Sequence, residues 1–225
     1  MRMRKSTVPM RLALPLLALA AAPGLAAPAP RAGTFDTVFA ATGEPAFLHA
    51  QILYASDGAI HRLELWRDHD RRIKRVTDAA LATYATRKAG EVGYTLKVLD
   101  LKRRISTVID RTNLYRIGQF TDWYDLGHGL RHPKGPYRLV AARTAPAGMP
   151  RIGRACRWYD LIEGARTTHI CWDDTVKLPL LIAPASGPPV WRVTAVDQRT
   201  IPSATFVPDD RGFIKNDANR DIEAD

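Results

Sequence analysis

Four residues with metal-binding side chains lie close together in the middle of the chain: Asp122, Asp125, His128 and His132. On a helix, His128 and His132 lie one turn apart with Asp125 on the same side, and imidazole and carboxylate groups are common ligands of Zn²⁺. This spacing makes a metal-dependent hydrolase one hypothesis. The His-Glu-x-x-His pattern is absent, since residues 128–132 are His-Gly-Leu-Arg-His. A polar helix face explains the same residues, so we expect no metal and no other cofactor.

Other patterns typical of catalysis are absent from the sequence. The chain has no Gly-x-Ser-x-Gly motif, which would place a serine nucleophile at a sharp turn. It also has no glycine-rich loop of the kind that binds phosphate groups. The sequence therefore predicts a protein that is not an enzyme.

The chain has two cysteines, Cys156 and Cys171. Both are equally far from a turn at Glu163-Gly164, so a hairpin folded about this turn places them opposite each other, at the separation that a disulfide needs. A redox-active or metal-binding pair is the alternative. The lack of a Cys-x-x-Cys motif and the opposed positions favour a structural disulfide, which persists in an oxidising compartment.

The candidate metal ligands belong to a segment with helical periodicity. From Thr121 to His132, the polar residues fall on one side of a helix, and Thr121 is a suitable N-cap. Pro133 then ends the helix. The apolar residues fall on the other side: Phe120, Trp123, Leu126 and Leu130. We expect this apolar side to cover a β-sheet.

The stretch from Ala46 to Asp110 predicts six short β-strands that form an antiparallel meander. Its first hairpin is the clearest, because Ser56-Asp57-Gly58 separates two runs of β-forming residues. The third strand, Arg71 to Thr77, alternates poorly between apolar and polar residues, so we expect it at an edge. A helix from Glu44 to Ala55 is an alternative, since its apolar residues also fit a helical stripe.

The rest of the chain also has mostly β character. A short helix within Thr34 to Ala41 precedes the meander, and turn residues divide the segment after Pro133 into short runs. Five further strands are predicted there: Tyr137–Arg143, Gly153–Asp160, Arg166–Asp173, Leu178–Ile182 and Val190–Val196.

The N-terminus has the features of a secretory signal peptide. Four cations precede an apolar run from Leu12 to Ala22, and small residues follow at 24–27. We expect a signal peptide over residues 1–26 and a flexible leader over 27–34. The apolar run is too short to span a bilayer. No cysteine follows that could carry a lipid anchor, so we expect a soluble periplasmic protein.

The formal net charge is +10, and it falls to +6 when the four cations of the expected signal peptide are removed. Much of the remaining excess lies in Arg67, in the cations of residues 71–75 and in residues 102–104. In an exported protein, such clusters suit a solvated sheet face or the anionic surface of a membrane. We therefore expect no nucleic-acid partner and only peripheral membrane contact.

The order of these elements resembles a known family. A signal peptide, a short helix, a six-strand meander, a helix, a Tyr-x-Leu strand at residue 137 and a Leu-Pro-Leu strand at residue 178 are similar to the periplasmic LolA/LolB lipoprotein-carrier superfamily, including the N-terminal domain of RseB-type regulators. The resemblance implies a mainly β (α+β) fold, an antiparallel unclosed half-barrel with a helical lid. We expect this domain over residues 35–215 and an acidic tail over 216–225.

The resemblance also implies a function. Members of this superfamily hold lipid or lipoprotein acyl chains against a concave apolar face. For this chain it implies a non-catalytic carrier for an apolar or acylated ligand, and it leaves an envelope sensor that binds a protein partner as the alternative. The residues expected to line the cavity are Leu48, Ile52, Leu96, Val98 and Trp123.

Overall fold

The computed structural model describes residues 33–69, 71–88, 90–91, 93–116 and 122–223. The expected signal peptide, the leader up to residue 32, and Phe120 and Thr121 lie outside these residues. Within the described part, no helix is both long enough and apolar enough to cross a membrane.

The protein is mainly β, with one large sheet and a few short helices. The helices are α1 (Phe35–Val38), α2 (Arg111–Arg116), α3 (Trp123–His128) and α4 (Ala218–Glu223), and one 3₁₀ turn spans Ser203–Phe206. The strands are β1 (Phe47–Ser56), β2 (Ala59–Asp68), β3 (Arg72–Thr77), β4 (Leu81–Thr86), β5 (Thr95–Asp100), β6 (Ile105–Asp110), β7 (Arg138–Ala142), β8 (Arg157–Glu163), β9 (Arg166–Asp173), β10 (Leu178–Pro184), β11 (Trp191–Asp197) and β12 (Ile214–Asp217).

The twelve strands form a single unclosed, half-barrel-like sheet in the order β12-β6-β5-β4-β3-β2-β1-β11-β10-β9-β8-β7. Strands β1 to β6 pair in sequence order, which confirms the predicted meander. The sheet is mixed rather than purely antiparallel, because β12 pairs in parallel with β6. The segment expected to be a loose acidic tail thus begins in a strand and continues into α4.

The first hairpin is a regular antiparallel pair from Phe47↔Asp68 to Ser56↔Ala59. The alternative helix over residues 44–55 is therefore wrong. Leu48, Ala50 and Ile52 are almost fully buried, and this period of two fits a strand with one covered face.

The third strand occupies a central position, between β2 and β4, so the predicted edge position is wrong. Two of its cations, Arg72 and Lys74, lie on the same face of the sheet, and both have partners there. Arg72 pairs with Asp68, and the Lys74 ammonium lies 4.8 Å from the centre of the Trp66 ring. These contacts allow a cationic strand inside the sheet, because the charges keep polar or aromatic neighbours.

The predicted disulfide between Cys156 and Cys171 is present, with 5.5 Å between the two Cα atoms. The register of the hairpin differs from the prediction. Glu163 pairs with Arg166, so the turn is Gly164-Ala165, and Cys171 faces Trp158. The disulfide therefore joins a diagonal pair, from just before β8 to β9, rather than two directly opposed residues.

The main core lies on one face of the sheet, called the inner face below. Leu48, Leu63 and Leu65 of this face are at most 1% exposed. Short helical segments pack against it, since Phe39, at the end of α1, lies 5.2 Å from Trp172 between ring centres. The opposite face is crossed by residues 198–213, which connect β11 to β12 and bring Phe206 against Arg72.

Candidate functional site

Helix α3 is shorter than predicted, because it ends at His128 instead of His132. Gly129 is its C-cap in the left-handed conformation, with φ of 65°, which glycine adopts without strain. A Cβ atom at Gly129 would overlap the ring of Trp191. Only glycine therefore permits this close approach of the helix end to β11.

The early end of α3 separates the two histidines of the metal hypothesis. His128 is 3% exposed, and its Nδ1 lies 2.9 Å from the carbonyl oxygen of Tyr124. His132 instead lies beside Asp36, 3.6 Å away. The prediction that His128 belongs to the polar outer side of the helix is wrong. Within the described ranges, no three His, Cys, Asp or Glu side chains are grouped so that they could hold a metal ion.

The side of α3 that faces the sheet packs on a buried polar cluster, which consists of Glu44, Arg67, Tyr124 and His128. Arg67 is 2% exposed, donates to the carbonyl of Val176 at 2.8 Å and lies 3.2 Å from the Glu44 carboxylate. The same carboxylate lies 3.5 Å from His128 Nε2. Burial lowers the pKa of both Arg67 and His128, although Glu44 acts in the opposite direction. This cluster fastens α3 to β2 and to the connection between β9 and β10.

An open cleft of about 480 Å³ lies where the C-terminal end of α3 meets the inner face of strands β8 to β11. This volume is within the range of ligand sites in proteins. Its apolar side chains are Leu130, Leu161, Ile170, Ile182, Val190 and Trp191, and its main polar and charged ones are Tyr54, Arg75, Asp125, Arg131, Glu163 and Arg166. A shallower depression of about 540 Å³ between Arg104, Asp209 and Arg211 has a mostly charged lining and no comparable apolar floor.

The charges at the cleft are unequally paired. Arg131 lies 3.2 Å from Asp125, and Arg166 lies 2.6 Å from Glu163. Arg75 has no described carboxylate within 4.0 Å. Its only hydrogen bond to a residue that the structure describes is a long one, 3.5 Å, to the carbonyl of Leu126. Burial lowers the pKa of Arg75, but a guanidinium remains charged at neutral pH. Arg75 is therefore a half-buried cation without an ion-pair partner among the described residues.

The carboxylate of Asp125 is also perturbed. Burial raises the pKa of Asp125 to about 6, the charge of Asp122 acts in the same direction, and Arg131 and Arg75 oppose it. Asp125 is thus ionised at neutral pH and becomes neutral in mildly acidic solution. The net charge around Arg75 consequently becomes more positive as the pH falls.

The residues predicted to line the cavity lie in the core on the inner face. Leu48, Ile52, Leu96 and Trp123 are at most 9% exposed, and Val98 packs against the same cluster. None of the five lines the cleft described above, so their contact with a ligand stays a prediction. One signal in the sequence could have identified the cleft. Arg75 is two residues from Ile73 in the same strand, so both side chains lie on the apolar face of the sheet.

No protein-family model matches this chain, and no curated protein matches its sequence significantly. The resemblance to the LolA/LolB superfamily therefore stays a prediction that depends on the order of the elements.

Proposed function

We propose that this protein is a non-catalytic binding or carrier protein for an acylated ligand, whose chain lies in the cleft beside α3. The apolar floor of this 480 Å³ cleft is the observation that carries the proposal. Burial of an acyl chain contributes about 0.8 kcal/mol for each methylene group, so a chain of ordinary length supplies useful affinity without any covalent chemistry.

In this proposal, α3 is the lid of the half-barrel. Its apolar residues Trp123 and Leu126 face the core, and Gly127 approaches Arg67 and Ile73 of the sheet closely. The helix end at Gly129 and Leu130 forms one wall of the cleft. A ligand chain would lie between this wall and the inner face of strands β8 to β11.

We further propose that the ligand carries an anionic group beside its chain. A half-buried cation without a carboxylate partner is costly, and a ligand carboxylate, phosphate or sulfonate would supply the missing partner for Arg75. Tyr54 also lines the cleft and lies near Arg75, so its hydroxyl would be a second donor for the same anion. The chain of the ligand would then point toward Ile170 and Ile182.

The first test is to express the full chain, purify the protein from the cell envelope, and analyse it by native mass spectrometry. We expect a bound acylated molecule, and we expect the purified protein to bind a fluorescent fatty-acid analogue. Protein that carries no lipid and binds no such analogue would contradict the proposed function.

The role of Arg75 is tested by the substitution Arg75→Met. We expect affinity for a fluorescent acyl probe with a sulfonate head to fall about 10- to 100-fold, because a hydrogen bond to a charged group contributes about 1.5–3 kcal/mol. Affinity for a probe with the same chain and a neutral hydroxyl head should change little. Equal losses for both probes would show that Arg75 acts only through the shape of the cleft.

The matched control for this experiment is Arg166→Met. Arg166 lines the same cleft, but its side chain is 71% exposed and paired with Glu163. Interactions of exposed ion pairs contribute little, so this variant should bind the sulfonate probe almost as well as the unchanged protein.

The pKa of Asp125 predicts a pH dependence of binding. The pKa of Asp125 is about 6. The sulfonate head of the probe stays charged on both sides of this value. We therefore expect the affinity of the protein for the sulfonate probe to rise as the pH falls through about 6. Protonation removes a negative charge beside the bound anion. The measurement is a fluorescence titration across this range, and Asp125→Asn should remove the dependence and bind tightly at both ends.

The expected rise in affinity at low pH is not opposed by a loss of stability from the protonation of Asp125. The pKa of Asp125 is raised in the folded state, so its protonation favours folding, and any stability that depends on it is present at low pH and lost as the pH rises through about 6. Affinity that is unchanged over this range in the unchanged protein would contradict a role for Asp125 in the cleft.

The proposed location is the periplasm. The Cys156–Cys171 disulfide is compatible with an oxidising extracellular or periplasmic compartment. The proposal of export also depends on the expected signal peptide at residues 1–26, and N-terminal sequencing of the secreted protein tests it.

A protein-binding envelope sensor is the second candidate function. The observation that favours it is the burial of Leu48, Leu63 and Leu65, which are at most 1% exposed and lie in the middle of the inner face. Cross-linking in cells separates the two candidates, because a sensor gives a specific protein adduct and a carrier without a protein partner does not.

A further inference from the structure

Large exposed hydrophobic side chains are concentrated at one end of the sheet. Six such side chains occur in the part of the chain that the structure describes, and five of them lie at the same end, with exposures between 37% and 68%. They are in the turns or strand ends of the β1–β2, β3–β4, β5–β6 and β10–β11 connections and at the start of β12. We call this end the hairpin rim; its exposed residues are Ile60, Leu81, Leu101, Val190 and Ile214.

Backbone hydrogen bonds join these connections into one continuous ledge. The amide of Ala55 donates to the carbonyl of Val190 at 2.9 Å, and Ala55 pairs with Ile60. Further along, the amide of Asp78 donates to the carbonyl of Arg62 at 2.8 Å, and the amide of Leu101 donates to the carbonyl of Ala80 at 2.9 Å. At the last connection, the amide of Ile214 donates to the carbonyl of Arg104. Since neighbouring strands are about 4.8 Å apart, the ledge extends on the order of 30 Å.

Cations lie among the apolar side chains of the hairpin rim. Lys102, Arg103 and Arg104 are consecutive in the β5–β6 turn, and all three are exposed. The nearby carboxylate of Asp100 accepts hydrogen bonds from the backbone amides of Lys102 and Arg103. This carboxylate is therefore directed mainly at the backbone of the turn, with Arg103 Nε 3.9 Å away. The side chains of Lys102 and Arg103 remain exposed, whereas Arg104 lies over the Phe213 ring and donates to the carbonyl of Arg211.

One side of the cleft lies at this rim. Tyr54, Ala55 and Val190 line it, and each lies in or within three residues of a rim connection. Glu163, which also lines it, lies beside the β8–β9 turn at the same end of the sheet. Apolar side chains on separate turns, interspersed with cations, suit shallow insertion into the head-group region of an anionic bilayer, where each apolar tip enters the acyl boundary and each cation meets a lipid phosphate. A closed protein interface would instead have a continuous apolar centre with charges at its margin.

We propose that the hairpin rim docks on the surface of an anionic lipid bilayer and holds the mouth of the cleft against the lipid. Docking goes beyond ligand binding and does not depend on it. The exchange of an acylated ligand at the docked surface rests on the proposed function above.

The experiment measures co-sedimentation of the purified protein with phosphatidylcholine vesicles, with and without phosphatidylglycerol. We expect binding only when phosphatidylglycerol is present, and weaker binding as the salt concentration rises. The variant Ile60→Ser/Leu81→Ser should bind these vesicles at least about tenfold more weakly, because two inserted side chains are lost. Undiminished binding of this variant would overturn the proposal.

Two control variants separate docking from general stickiness. Val207 is 63% exposed, almost as much as Ile60, but lies outside the hairpin rim, so Val207→Ser should bind like the unchanged protein. The role of charge is tested by Lys102→Gln/Arg103→Gln, which should bind the vesicles several-fold more weakly. Its control is Arg143→Gln/Arg151→Gln, which removes two exposed cations at the opposite end of the sheet and should leave binding unchanged. Equal losses in the rim and control variants would overturn the proposal.

Docking on vesicles and binding of the acyl probe can be tested independently of each other. Arg75→Met alters the cleft but leaves the hairpin rim intact, so it should dock like the unchanged protein while losing affinity for the sulfonate probe. Docking without any ligand binding would contradict only the proposed function. Ligand binding without docking would contradict only the role of the rim.

Discussion

Replacement of Arg67 by methionine is expected to lower the free energy of unfolding by about 3–5 kcal/mol, because removal of one partner leaves an uncompensated buried charge on the other. Glu44 would lose its guanidinium partner at 3.2 Å, and the carbonyl of Val176 would lose its donor. The measurement is urea unfolding at equilibrium, followed by tryptophan fluorescence. A change of less than 1 kcal/mol would show that Glu44 finds another partner or is not charged.

A second variant identifies the cause of this loss. In Arg67→Met/Glu44→Gln, the carboxylate that faced Arg67 is also removed, so we expect recovery of a substantial part of the stability. As a control, Arg199→Met removes an arginine whose side chain is 89% exposed and which is paired with Asp197. This surface change should stay within about 0.5 kcal/mol of the unchanged protein.

The Arg67 variant also has a consequence for the proposed site. The same guanidinium lies under Gly127 of α3, and the C-terminal end of α3 forms one wall of the cleft. Loosening of α3 should therefore weaken binding of both acyl probes, with sulfonate and with hydroxyl heads. This pattern differs from that of Arg75→Met, in which only the sulfonate probe is affected.

Removal of the disulfide by Cys156→Ser/Cys171→Ala is expected to lower the free energy of unfolding by about 3 kcal/mol, which is the value for a closed loop of about 15 residues. The two cysteines are 15 residues apart. Alanine is suitable at position 171 because Cys171 is fully buried and a serine hydroxyl would lack a polar partner there. The measurement is urea unfolding of both proteins with and without a reducing agent.

The reducing agent supplies the internal control for this prediction. It should destabilise the unchanged protein by about as much as the double substitution does, and it should have no effect on the variant. A variant as stable as the oxidised protein would contradict a stabilising role of the bond.

Much of the β architecture could be predicted from local patterns. The Asp57-Gly58 turn and the alternation around it located β1 and β2, and the six-strand order of the meander is confirmed. Turn chemistry and a period of two are properties of neighbouring residues, so they are visible without the fold. The disulfide pairing was predictable for the same reason, although the hairpin register was not, because two adjacent turn positions fit the sequence equally well.

The candidate site was less accessible to prediction. Periodicity located the apolar side of α3, but it assigned His128 to solvent. That residue is buried because Glu44 and Tyr124 provide polar contacts inside the protein. The cationic strand was assigned to an edge for a similar reason, since the partners of Arg75 and Lys74 come from other elements.

The sequence alone determined the strand order of the meander, the apolar side of the central helix and the pairing of the cysteines, since these depend on spacing along the chain. The tertiary structure decided which charges are buried, which remain without a partner, and where apolar turns converge. Those properties depend on residues far apart in the chain: Arg67 meets Val176 across 109 positions, and the hairpin rim assembles turns from residue 57 to residue 214. Such contacts are decided by the packing of the whole sheet, because the energy of a buried charge depends on every group that replaces its water.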